Sequence, residues 1–148
     1  MLSAVACRSV APDERQRIPP APVWYLLDLM GEGYALMEPI SMVSIEHPRT
    51  AEDRVGYGGL VVVHLSGIGE PFCAYEAACP YDWPTVVSVQ PMPEKQLPEG
   101  TLLAVQCPRC GTVYDLTLGL GQPLNGPARL PLTPYRCRRV GDRLLITN

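Results

Sequence analysis

Residues 101–116 read TLLAVQCPRCGTVYDL, and this stretch decides how the rest of the chain is understood. Thr101 to Gln106 is apolar enough, and short enough, to predict a strand. Cys107-Pro108-Arg109-Cys110-Gly111 interrupts it, and Thr112 to Leu116 predicts a strand leaving the interruption. Pro108 stiffens the loop and removes a backbone donor, while Gly111 lets the chain turn sharply. The result is a β finger with two thiols at the C-x-x-C spacing that usually signals metal or redox chemistry.

A second finger lies upstream. Gly59 to Leu65 (GLVVVHL) is the strongest strand signal, rich in β-branched residues. The turn Ser66 to Pro71 leads to another strand, Phe72 to Ala77 (FCAYEA), which runs into Cys79-Pro80-Tyr81-Asp82. Val86 to Gln90 predicts a weak strand, and Pro91 to Gly100 a surface loop. Nearer the start, Pro22 to Met30 reads as a strand that Tyr34 to Met37 continues after a glycine turn. Ile40 to Ile45 is a short strand and Glu46 to Tyr57 a polar loop. Beyond the second finger come a glycine-rich loop, Gly119 to Gly126, and a hairpin of Tyr135 to Val140 and Arg143 to Thr147 around Gly141-Asp142. No window carries a helical apolar period, so the fold class is all-β, with roughly eight to ten short strands.

Composition narrows the function. Seventeen prolines and thirteen glycines in 148 residues favour turns over long helices, and the length suits one core. A net charge of −3 and the absence of a basic stripe argue against nucleic acid as a partner. The run Arg136-Cys137-Arg138-Arg139 fits a solvated strand face. No apolar stretch reaches the length of a membrane helix. There is no Ser/His/Asp set, no carboxylate pairing suited to acid–base work and no phosphate loop, which favours a carrier or binding module over an enzyme.

The soft ligands are almost all thiols. Of six cysteines, Cys79, Cys107 and Cys110 lie on the fingers. If the fingers stand side by side, these three begin a site for zinc or an iron–sulfur cluster. Cys73 reads as a small core residue, and would serve as a further ligand if it faced the site. Cys137 reads as structural. His64, inside an apolar run, reads as a hydrogen-bonded strand residue, and His47 as a surface residue. Residues 1–21 read as a flexible N-terminal segment before a domain at 22–148. Within that segment, Ala4-Val5-Ala6-Cys7 and the polar residues after it resemble the lipobox of bacterial lipoproteins, so Cys7 is a lipidation candidate. That pattern implies membrane attachment at the cell envelope or periplasm. A frayed terminus on a cytoplasmic protein is the other reading.

The order C-P-Y, then C-P-R-C-G-T-V-Y-D-L, then G-P-A-R-x-P-L-x-x-Y and G-D-R-L-L-I resembles the Rieske [2Fe–2S] domain over about residues 55–148. The resemblance implies stacked antiparallel β-sheets with a two-loop cluster-binding subdomain, here at 72–117. It places Cys79 and Cys107 on the family's cysteine positions, and Tyr81 and Cys110 on its histidine positions. A cluster would then be held by Cys79, Cys107 and Cys110, with Tyr81, Asp82 or Cys73 as fourth ligand. It further implies one-electron exchange with a redox protein docking over the finger tips. The loss of both histidines leaves two other states open. One is a zinc site. The other is a metal-free domain with Cys79 in a disulfide to Cys107 or Cys110, binding another protein at the envelope.

Overall fold

The computed structural model describes residues 17–68 and 71–148. Among these it contains eleven strands: β1 (Val23–Asp28), β2 (Ser41–Ile45), β3 (Arg54–Val55), β4 (Leu60–His64), β5 (Phe72–Glu76), β6 (Gln90–Pro91), β7 (Ala104–Gln106), β8 (Val113–Asp115), β9 (Gln122–Asn125), β10 (Pro134–Val140) and β11 (Arg143–Thr147). They form a seven-stranded sheet, β2-β4-β5-β10-β11-β1-β3, and a four-stranded sheet, β6-β7-β8-β9. Each strand pairing is antiparallel. The protein is all-β, as its sequence implies.

The length suggests one core, but there are two, and strand β4 explains why. A strand covered on one face alternates apolar and polar residues, whereas one covered on both reads as a continuous apolar run. Leu60 and Val62 enter a core with Tyr25, Leu27, Leu144 and Ile146. Val61 and Val63 point the other way, into a core with Val105, Tyr114 and Leu116 from the smaller sheet. Its neighbour β5 divides likewise, Phe72 and Ala74 to the first core, Cys73 and Tyr75 to the second. These two strands are the wall shared by both cores. Cys79 and Cys107 belong to the second core, so the fingers are seated by packing as well as by hydrogen bonds.

The expectation fails where local chemistry overrides composition. Tyr34–Met37 is a 3-10 helix and does not continue β1. After the glycine turn, Tyr34 N–H donates to Gly31 and Leu36 N–H to Gly33 in the three-residue pattern of that helix. Of Val86 to Gln90, only Ser88 bridges to Ala78, and Gln90 begins β6. The Gly119–Gly126 loop contains β9, and the polar loop before Tyr57 contains β3. Strands β6 and β9 are the edges of the smaller sheet and carry Pro91 and Pro123. A missing N–H is tolerated at an edge, which is why proline hid both strands. Ile18 and Ala21, in the segment read as flexible, are buried.

Candidate metal centre

The first finger is anchored before its tip. Glu76, fully buried at the end of β5, accepts hydrogen bonds from the backbone N–H of Tyr57 (2.8 Å), Gly58 (2.7 Å) and Ala78 (2.9 Å) and from the Tyr135 hydroxyl (2.7 Å). Cys79 N–H then donates to Val87 and Val89 N–H to Ala77, closing the loop at its base. The second finger is the β7–β8 hairpin. Cys107 N–H donates to Thr112, and Gly111 N–H to Cys107. Gly111 has φ +82°, a left-handed conformation that suits glycine.

The two tips meet. One donor atom each from Cys79, Asp82, Cys107 and Cys110 lie within 4.8 Å of one another. Among the described residues this is the one group of three or more such side chains so placed. The Cys79 and Cys110 sulfurs are 3.7 Å apart, and the Cys107 thiol donates to Asp82 Oδ2 at 2.9 Å. The three cysteines are free thiols. Cys79 Sγ is hydrogen-bonded to the Tyr114 hydroxyl at 3.2 Å, and the Cys110 thiol donates to Thr112 Oγ1 at 3.2 Å. Arg109, 62% exposed, reaches Asp82 Oδ1 at 3.9 Å from outside.

The electrostatics divide into two parts. Burial pushes the Cys79 and Cys107 thiols up, and the neighbouring Asp82 carboxylate raises Cys107 further. The backbone works the other way. The N–H groups of Asp82 and Tyr81 favour the Cys79 thiolate, and those of Cys110 and Arg109 favour the Cys107 thiolate. The thiols are thus neutral by burial yet surrounded by groups that welcome a negative sulfur. A cation at this point supplies what burial takes away and deprotonates a coordinating thiol. Burial, with Cys79 beside it, also keeps the Tyr114 phenol protonated, so this hydroxyl can donate to the sulfur once Cys79 is a thiolate.

Other residues singled out in the sequence lie elsewhere. Tyr81 is 39% exposed. Cys73 is half-buried on β5, beneath Gly119, and is outside the donor group. Cys137 packs on the first core from β10. His64 Nδ1 is 2.6 Å from the Leu36 carbonyl, in keeping with a structural histidine. Trp83 packs edge-on to Tyr57 at 4.6 Å. The chain after Cys110 enters strand β8, without the helix N-terminus that lowers a thiol pKa in thiol–disulfide enzymes. Cys7 lies outside the described residues. Sequence reasoning missed Glu76, Thr112 and the Arg109–Asp82 pair. All three are polar groups whose roles come from long-range packing.

Fold and site together define a small all-β protein with a thiol-rich candidate metal centre between two hairpin loops. No family model matches the chain, and no curated protein matches it. Among solved structures, one chain of a complex of reduced oxygenase and oxidised ferredoxin in carbazole 1,9a-dioxygenase is similar, with 21% identity and a TM-score of 0.47. The likeness covers 84% of this chain and 93% of that one. So distant a likeness is silent on ligands and activity.

Proposed function

We propose that this protein is a small electron carrier whose redox centre is a Rieske-like iron–sulfur cluster held by Cys79, Cys107 and Cys110. The observation behind this reading is the convergence of three sulfurs from two separate hairpin loops, with every donor atom of the group within 4.8 Å of the others. The donor set fits the group: thiolates are the usual protein ligands of such clusters, and hydrogen bonds to sulfur tune them. A bound cluster would supply reversible one-electron chemistry.

The chain's own residues do the rest. Glu76 and the β7–β8 hairpin fix the loops, and the second core keeps water from Cys79 and Cys107. The Tyr114 hydroxyl steadies the charge on the Cys79 sulfur. Thiolate in place of neutral imidazole makes the site more negative, so the potential falls below the range of histidine-ligated centres. Exposed Tyr81 and Arg109, on the two finger loops, offer a redox protein its docking face. Attachment to the bacterial envelope through Cys7 belongs to the same proposal.

One observation favours a second reading, a single zinc ion. A zinc–sulfur bond of about 2.3 Å gives a tetrahedral sulfur–sulfur edge of about 3.8 Å. The Cys79–Cys110 separation is 3.7 Å. Anaerobic purification followed by iron, zinc and acid-labile sulfide analysis, with electron paramagnetic resonance of the reduced protein, separates the two. Iron with inorganic sulfide and a signal on one-electron reduction supports the carrier. Stoichiometric zinc overturns it in favour of the second reading. A metal-free protein overturns both.

A further inference from the structure

The two fingers share more than a first cysteine. One reads Cys79-Pro80-Tyr81-Asp82, the other Cys107-Pro108-Arg109-Cys110, so Asp82 stands three residues after Cys79 just as Cys110 stands three after Cys107. The structure repeats this equivalence. In each loop the fourth residue turns its side chain inward, into the common donor group. The third residue turns out: Tyr81 and Arg109 are both exposed.

We infer that Asp82 is the fourth ligand of the centre, the carboxylate counterpart of Cys110, giving a site of three sulfurs and one oxygen. The inference rests on the proposal that a metal centre forms here, and holds for iron or zinc alike. Its grounds are position and chemistry. The Asp82 side chain is only 9% exposed, with Oδ2 2.9 Å from Cys107 Sγ, and its guanidinium partner is no closer than 3.9 Å. A carboxylate so enclosed is held by a thiol and a loose ion pair, both of which leave lone pairs for a metal. The competing oxygen donor, Tyr81, is exposed and would have to swing in from solvent.

The experiment uses the full chain with Co²⁺ as a spectroscopic probe and chelator competition for affinity. Asp82→Asn should weaken cobalt and zinc binding by at least ~100-fold, beyond what loss of an outer partner brings. Tyr81→Phe should leave affinity and spectrum unchanged. Asp82→Cys should restore binding and raise the sulfur-to-cobalt charge-transfer absorbance by about one third, from three thiolates to four. That variant keeps the test decisive if Asp82→Asn fails to fold. Loss of binding in Tyr81→Phe, or an unchanged charge-transfer band in Asp82→Cys, overturns the assignment of Asp82. Failure of the unmodified protein to bind cobalt, zinc or iron overturns the underlying metal reading instead.

Discussion

Glu76→Gln tests how the first finger is held. The carboxylate accepts four hydrogen bonds, two at Oε1 from Tyr57 N–H and Tyr135 O–H, and two at Oε2 from Gly58 and Ala78 N–H. An amide has one accepting oxygen, so its NH₂ must face two of these donors. The least costly arrangement points the NH₂ at Oε1's place, where the Tyr135 hydroxyl can rotate and accept, and leaves Tyr57 N–H facing a donor. A hydrogen bond to a charged group contributes about 1.5–3 kcal/mol, and an unsatisfied buried donor costs about 1–3 kcal/mol. The expected destabilisation is therefore about 3–5 kcal/mol, a large part of a typical stability of roughly 5–15 kcal/mol. Equilibrium urea unfolding measures it, read as a fall in midpoint with the slope unchanged. Metal content should fall with it, because Glu76 lies three residues before Cys79. A loss under about 1 kcal/mol would refute this reasoning, since it would mean that backbone ties at the loop base suffice without the carboxylate.

Four further outcomes are expected. Tyr114→Phe removes a donor from the Cys79 sulfur, and protein-film voltammetry should show the potential lower by on the order of tens of millivolts, while iron content stays constant. Gly126→Ala places a Cβ 2.5 Å from Thr112 Cα at φ +98°, so thermal melting should show a loss of about 2 kcal/mol or more. Burial raises the Tyr25 and Tyr75 hydroxyls above the range of the unfolded chain, so their contribution is complete below pH 10 and is lost as pH rises beyond it. The unfolding free energy from urea titrations should fall above about pH 10, by up to about 2.7 kcal/mol per pH unit from these two groups. A tyrosinate titration near pH 10 that loses amplitude in Tyr25→Phe or Tyr75→Phe with the fold intact would contradict this. Cys7→Ser should move the protein from the membrane to the soluble fraction of expressing cells, and an unchanged distribution would remove the lipid-anchor proposal.

Strand β4 was legible because its chemistry is local; that it walls two cores was not, since the length suggested one. Leu60 to Val63 is a continuous apolar run rich in β-branched residues, which marks a strand. The β10–β11 hairpin was legible from Gly141-Asp142, and the second finger from Pro108 and Gly111. Tyr34–Met37 was misread because β propensity in Tyr and Leu yields to the hydrogen bonds set up by a preceding glycine turn. The edges β6 and β9 were hidden by prolines whose cost vanishes at an unpaired edge. At the site, the three sulfurs were readable from spacing. The inward turn of Asp82, the outward turn of Tyr81 and the Glu76 anchor were not, because each depends on contacts with distant parts of the chain.

X-ray absorption at the metal edge of the anaerobically purified protein reads the coordination shell itself. Convergence of Cys79, Cys107 and Cys110 on one centre requires sulfur neighbours at about 2.3 Å with a single light-atom ligand beside them. A shell made of oxygen and nitrogen alone, or no metal edge at all, would contradict it.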